Sequence, residues 1–145
     1  MNRTPLSMQE PPRRTGTATL ERFQPTILVV EDDPLLLDLA EELLTEEHYR
    51  VLRATSGPQA LQVAAGERPH LFLLDYMLPG GMNGLELFDL LHARPGNEAI
   101  PALLVSASLP PQGELARRAI VALQKPYQID ALLAQVAALI STAHH

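Results

Sequence analysis

The sequence predicts an α/β protein, a doubly wound sheet of five parallel strands covered by five helices. Three observations predict it. Short apolar runs recur along the chain and alternate with stretches whose leucines and alanines fall three or four residues apart. The apolar runs mostly lack polar alternation, as in strands buried on both faces. Hydrophobic residues make up 46% of the 145 residues, enough to cover such a sheet.

Residues 1–24 stand apart from this pattern. They hold Pro5, Pro11 and Pro12, with Arg3, Arg13, Arg14 and Arg22 against Glu10 and Glu21, and little apolar periodicity. They are expected to form a mobile tail of net charge +2, ahead of a domain over 25–145 that carries about −8 of the chain's −6.

The elements follow in order from Thr26. Thr26 to Val30 reads as a buried strand. Asp33 is a candidate N-cap with Pro34 at the first helical position. Leu36, Leu39, Ala40, Leu43 and Leu44 would form that helix's apolar stripe against the sheet. Tyr49 to Arg53 is a weak second strand. Ser56-Gly57-Pro58 opens a second helix to about Ala65, which Gly66 would stop. His70 to Leu74 is a third strand ending on Asp75. Asn83 to His92 is a third helix, with Leu87, Leu90 and Leu91 as core candidates. Ala102 to Val105 is a fourth strand ending at Ser106. Leu115 to Ala119 suggests a short fourth helix, and Ile120 to Gln124 a fifth strand ending at Lys125-Pro126. Ile129 to Ile140 is the last helix, with Leu132, Leu133, Val136, Leu139 and Ile140 facing the sheet. Strands joined in this way have right-handed crossovers.

Composition narrows the function. There is no Cys, which removes disulfides and thiolate nucleophiles. Charged residues are only 19% and the balance is acidic, against a nucleic-acid partner that needs basic groups for phosphates. Aromatics are 4% with no Trp, a poor stacking platform for single strands. No stretch reaches membrane-span length and no secretory h-region opens the chain, so no membrane contact and a cytoplasmic location are expected. His48, His70 and His92 are scattered and read as structural, and the terminal His144-His145 pair as incidental; none suggests zinc.

In an open parallel sheet, ligands bind beyond the carboxyl ends of the strands. Those ends carry the polar groups here: Glu31-Asp32-Asp33 after the first strand, Asp75 after the third, Ser106 after the fourth and Lys125 after the fifth. Read singly, the acids and Ser106 could be helix caps or turn residues and Lys125 a solvated lysine. Those readings leave the shared rim unexplained. Carboxylates crowded together stay ionised only if a cation shares the site. The donors are hard oxygens, which fits Mg2+ rather than Zn2+. A cation, an ammonium group and a hydroxyl around one aspartate make a receptacle for a phosphoryl group, and Asp75 at the tip of the middle strand is the natural nucleophile.

With these residues in place, the sequence resembles the receiver domain of two-component response regulators. The resemblance rests on Ile27-Leu-Val-Val-Glu31-Asp32-Asp33-Pro34, Leu73-Leu74-Asp75-Tyr-Met-Leu-Pro79, Gly84-Leu-Glu-Leu, Val105-Ser106-Ala107 and Lys125-Pro126-Tyr127. It spans about residues 25 to 142, and its strength lies in five landmarks in the right order on the right elements. It implies a flavodoxin-like, CheY-like strand order of 2-1-3-4-5. It also implies a role for each group: Glu31 and Asp32 as the acidic metal pair, Asp75 as phosphoacceptor and metal ligand, and the Met77 backbone carbonyl as a further ligand. Ser106 would be the switch hydroxyl, Lys125 the phosphoryl-pairing lysine, and the Lys125–Pro126 bond cis.

Three departures from the family pattern stand out. The loop Pro79-Gly80-Gly81-Met82-Asn83-Gly84 is one residue longer than the commonest form. The position three before the lysine, usually aromatic or His, is Ala122, and a methyl group cannot act as the ring that couples to the hydroxyl. The segment from Ser106 to Lys125 is short, contains Pro110-Pro111, and has Arg118-Ala119 where Gly-Ala is common, so helix four should be short or displaced.

The resemblance implies a single-domain signalling protein and not an enzyme, with self-phosphorylation and dephosphorylation as its only chemistry. It would accept a phosphoryl group on Asp75, with Mg2+, from a sensor histidine kinase or a His-containing phosphotransfer protein. A chain ending after helix five implies output through another protein. The alternative is a degenerate receiver that binds a partner without phosphorylation. A flavin-binding protein would want a Ser/Thr/Gly phosphate loop where Glu31-Asp32-Asp33 stands, and a stand-alone phosphatase a second acid where Met77 stands.

Overall fold

The computed structural model describes residues 23–143. Residues 1–22 of the expected tail, and His144-His145, lie outside them. The elements in chain order are β1 (Thr26–Val30), α1 (Pro34–Glu46), β2 (Arg50–Ala54), α2 (Gly57–Ala64), β3 (Leu71–Asp75), α3 (Gly84–His92), β4 (Ala102–Ser106), α4 (Gln112–Arg117), β5 (Val121–Gln124) and α5 (Ile129–Ala143). The five strands form one sheet in the order β2-β1-β3-β4-β5. Every neighbouring pair is parallel.

β1, β3 and β4 are buried along their whole length, which is why their sequences do not alternate. Successive side chains still point to opposite faces. Leu28, Val30, Phe72, Leu74 and Leu104 pack under α2, α3 and α4 with Ala60, Leu87 and Leu91. Ile27, Val29, Leu71, Leu73, Leu103 and Val105 pack under α1 and α5 with Leu37, Leu44, Leu132, Val136 and Ile140. Burying each large side chain stabilises the fold by about 2 kcal/mol before entropy is counted. The edge strand β2 carries exposed Arg50 and Arg53; Arg53 pairs with Asp38 and Glu41 of α1.

Helix starts are capped as their sequences suggest. Asp33 accepts from the Leu35 amide at 3.0 Å with Pro34 in the first turn, and Ser56 accepts from Gln59. Asn83 and Glu86 close a reciprocal capping box at the start of α3. At the other end of the sheet Phe23 packs edge-on against His70, whose Nδ1 accepts from the Thr26 amide at 2.9 Å. Phe23, within the expected tail, thus touches the domain. His92 stacks on Phe88 and contacts the Ile100 carbonyl.

Four expectations need correction. The seam of α1 is Leu37 and Leu44; Leu36 and Leu39 are exposed, at 41% and 46%. Leu90 is also exposed, because Leu87, Phe88 and Leu91 already fill that face of α3. α2 ends at Ala64, with Ala65 as a right-handed cap, and Gly66 does not take a left-handed conformation. α4 begins at Gln112, directly after Pro110-Pro111, and ends at Arg117 rather than running from Leu115 to Ala119.

The short α4 is held from its end. Arg118 grips Asp89 of α3 with Nε and Nη2, both at 2.9 Å, and reaches Glu114 with Nη1 at 2.8 Å. The hydrogen bond from Arg118 holds the Asp89 carboxyl below its ordinary value of 3.8. A depressed carboxyl stabilises the fold above its unfolded pKa and loses that contribution as pH falls through the folded one. Urea unfolding of the wild type should therefore lose more stability below about pH 4 than Asp89→Asn does, by less than about 1 kcal/mol for so exposed a pair. Ala119 follows with φ +56°, where an L side chain crowds its own carbonyl. Ala119→Gly should raise unfolding stability by about 0.5–1 kcal/mol in the same assay.

Candidate phosphoacceptor site

The parallel register brings the sequence-distant groups to one rim. Val30 of β1 lies beside Leu74 of β3, so Glu31 and Asp75 emerge side by side. Asp75 pairs with Val105 of β4, which places Ser106 one residue further along the same edge. Ser106 is opposite Gln124 of β5, so Lys125 follows just beyond it, and the Lys125 amide donates to the Ser106 carbonyl at 2.9 Å. The Lys125–Pro126 bond is cis.

Lys125 Nζ donates to Glu31 Oε1 at 2.8 Å and to Asp75 Oδ2 at 3.0 Å. The other Asp75 oxygen, Oδ1, accepts from the Met77 amide at 3.0 Å. Glu31 Oε2 accepts from the Asp33 amide at 3.2 Å. Glu31, Asp75 and Ser106 are buried, at 7%, 6% and 1% exposure; Asp32 is exposed. Burial pushes the Glu31 carboxyl above its ordinary value, against the pull of Lys125. Burial works against the Lys125 ammonium as well, yet its bonds to Glu31 and Asp75 prevail and hold it above its ordinary value.

One carboxylate oxygen from each of Glu31, Asp32 and Asp75 lies within 4.8 Å of the others. Three hard oxygens on two buried acids and one open one fit a small divalent cation that keeps part of its water. Met77 holds Asp75 through its amide, and its side chain is 59% exposed. Ala122 of β5, at the position where the family pattern has a ring, packs its methyl group partly buried against the core.

Two supporting residues carry roles that their sequence positions alone do not explain. Gly84 lies so close to the end of β3 that a Cβ there would stand 2.5 Å from the Asp75 carbonyl oxygen and 3.0 Å from the Tyr76 Cα. Its amide donates to the Tyr76 carbonyl at 2.8 Å. Gln124 Nε2 donates to the Ala107 carbonyl at 3.2 Å and ties the segment after Ser106 to β5. The glycine was visible as a motif residue, but its neighbour across the loop was not. Nothing in the sequence pointed to Gln124.

Fold and rim together define the class: a doubly wound α/β module whose acids and lysine converge at the carboxyl ends of its strands. The profile of the response regulator receiver domain matches residues 27–137, and the chain belongs to that family, the receiver domains of two-component signalling. It is 42% identical over 81 residues to the response regulator PleD of Caulobacter vibrioides, a match covering 56% of this chain and 18% of PleD. It is 35% identical over 127 residues to the phosphate regulon transcriptional regulatory protein PhoB of Rhizobium meliloti, covering 82% of this chain and 53% of PhoB. The chain thus spans between about a fifth and a half of these relatives. A CheY-like receiver domain protein from Methanospirillum hungatei has the same fold, with TM-score 0.77 and 23% identity over 84% of this chain and 98% of that one.

Gly84→Ala should force the Asp75–Tyr76 backbone aside. The expected outcome is a loss of about 1–3 kcal/mol in unfolding stability together with a weaker divalent-cation response in the amide spectra of residues 75–77. A variant with unchanged stability and an unchanged response would remove the glycine's positioning role.

Proposed function

We propose that this chain accepts a phosphoryl group on Asp75 from the phosphohistidine of a sensor histidine kinase or a His-containing phosphotransfer protein, and signals through contacts with another protein. The observation that carries this reading is the Lys125 ammonium spanning Glu31 and Asp75 at the rim. Glu31, Asp32 and Asp75, with the Met77 carbonyl, are the proposed Mg2+ ligands. Mg2+ bound there would neutralise phosphoryl oxygens and lower the repulsion that an incoming anion meets.

In the transfer, an Asp75 carboxylate oxygen forms the new bond to phosphorus as the phosphorus–nitrogen bond to the donor histidine breaks. The imidazole takes the electron pair and then a proton. Lys125 is placed to leave its bonds to the acids and meet the phosphoryl charge, and the Ser106 hydroxyl to take one of its oxygens. Three exposed apolar side chains, Leu36 and Leu39 of α1 and Ile129 of α5, line an apolar cavity of about 420 Å3 that reaches Glu31 and Lys125. That face suits a protein phosphodonor docking over Asp75. Net charge disfavours nucleic acid as the partner of this domain. Among the described residues no helix is long and apolar enough to cross a membrane, and the proposed location is the cytoplasm. The proposed division is a tail over 1–24 and the receiver domain over 25–145.

Ala122 and the six-residue α4 favour one second reading, a partner-binding receiver that does not use phosphorylation. Acetyl phosphate with Mg2+ followed by intact mass separates the two. We expect a gain of about 80 Da that chelation prevents and Asp75→Ala abolishes. No gain with correctly folded protein would leave the second reading. The Met77 side chain offers no polar group to align an attacking water, so the phosphoprotein should decay more slowly than that of Met77→Asn; equal decay would contradict this.

With Ala122 in place of a ring and Arg118 pinning α4 to α3, the signal is proposed to travel through the loop from Ser106 to Leu109. Beryllofluoride should then shift amides near residues 106–109 strongly and those from 115 to 130 weakly. The reverse pattern would sink this route.

A further inference from the structure

The amino ends of the strands form a second rim, opposite Asp75, where α2 and α3 terminate. A cavity of about 330 Å3 opens there between them, lined by Ala64, Glu67, Arg68, Arg94, Pro95 and Asn97. Arg94-Pro95-Gly96-Asn97 is a tight turn, closed by the Asn97 amide on the Arg94 carbonyl at 3.0 Å, with Gly96 at φ +92°. The Asn97 side chain fixes the turn by donating to the Leu91 carbonyl at 2.9 Å.

Two cations, Arg68 and Arg94, line this cavity, and its one carboxylate, Glu67, is taken by Arg50. Arg94 Nη1 is buried and has no hydrogen-bond partner. Arg68 lays its guanidinium against Gly96 so closely that any Cβ there would collide with it. Neither arginine pairs with a carboxylate among the described residues. The nearby acids are engaged elsewhere: Glu67 holds Arg50 at 3.1 Å, and Glu98 accepts from the Gly96 amide at 3.1 Å. A buried charged donor left unmet is costly, and native structures rarely keep one without an acceptor. In a domain of strongly negative net charge, two unpaired guanidiniums on one polar cavity are a local reversal of sign.

We propose that this cavity binds a tetrahedral oxyanion, a phosphate dianion or phosphomonoester, held by Arg68 and Arg94. Guanidinium groups suit this ligand because their planar donors match pairs of phosphate oxygens. Gly96 carries no side chain, which leaves room for the Arg68 guanidinium to lie against the turn that follows Arg94. The site is separate from the metal rim and does not depend on the reading of Asp75.

The test is a titration of the isotope-labelled full chain with inorganic phosphate, with chelator present and ionic strength held by chloride. A second arm uses methyl phosphate. We expect saturable shifts of amides 64–68, 94, 96 and 97 and of the Arg Nε–H groups in one or both arms, the tighter arm naming the source. Arg68→Gln and Arg94→Gln should each weaken binding at least tenfold. Gly96→Ala, which displaces Arg68, should do the same. Arg68 is exposed, so its variant keeps the test alive if Arg94→Gln fails to fold. Shifts that chloride reproduces, that never saturate, that ignore the arginine substitutions, or that fall only around Lys125 would overturn the proposal.

Discussion

Two carboxylates more than forty residues apart are buried side by side at the end of a parallel sheet, and a single ammonium group makes that tolerable. Glu31 and Asp75 each lose most of their water, and each gets one oxygen back through Lys125 Nζ, at 2.8 and 3.0 Å. Removing a buried charge's partner costs far more than the pair's net worth, so the position of Lys125 constrains everything that positions it. β5 must be parallel and in register with β4, the Lys125 amide must find the Ser106 carbonyl, and Asp75 must be held from its other side by the Met77 amide. The same tension keeps the site receptive. An ammonium between two acids is already placed for a third anion, and a cation arriving at Glu31, Asp32 and Asp75 would release it.

The β4–β5 side of the molecule answers a different constraint. Nineteen positions from Ser106 to Lys125 must cross the sheet with a helix of six residues. The economy shows as local stress: Ala119 is left-handed, and no side chain caps the start of α4. The Arg118 grip on Asp89 and Glu114 supplies the anchoring that a longer helix would get from packing. Its consequence is mechanical, since α4 cannot shift without breaking a two-pronged contact to α3. Gln124 on Ala107 is a weaker, single bond at the other end of the same crossing. Motion beginning at Ser106 therefore meets the softer restraint first.

The strands were legible because a buried parallel strand leaves an uninterrupted apolar run bounded by polar residues, and all five fell within a residue of their predicted places. The rim was legible for the same reason: strand ends are where the runs stop, and the acids, Ser106 and Lys125 stand there. The failures have local causes. Leu35, Leu36, Leu37 and Leu39 offer a helix several equally apolar faces, so spacing alone could not choose Leu37 over Leu36. Pro110-Pro111 predicts a short or displaced fourth helix; it is short, six residues, but starts at Gln112 and not Leu115, because a proline just before a helix suits its first turn. Arg118–Asp89 spans 29 positions between a half-buried arginine and an exposed aspartate, and no periodicity marks such a pair. Gly84 was visible only as a motif, because its reason is the backbone of Asp75 on the neighbouring strand.

The misplaced stripe of α1 has a further meaning. Had Leu36 and Leu39 been buried, Leu35 would be the one exposed leucine of α1. With Leu37 and Leu44 buried on the sheet and Ala40 packed against the same cluster, Leu36 and Leu39 are left to line a cavity that ends at Glu31 and Lys125. Exposed leucines on a soluble helix invite association, and flanking acids such as Asp38, Glu41 and Glu42 keep that association selective for a surface of opposite charge. The position of this apolar face matters more than its size. In the proposed transfer, a protein donor would have to bring a phosphohistidine within bonding distance of an aspartate that is itself buried, and orientation would be the greater part of that task. An apolar ledge immediately beside the rim, with Tyr127 and Pro126 at its inner edge, would hold such a partner where the proposed chemistry requires it.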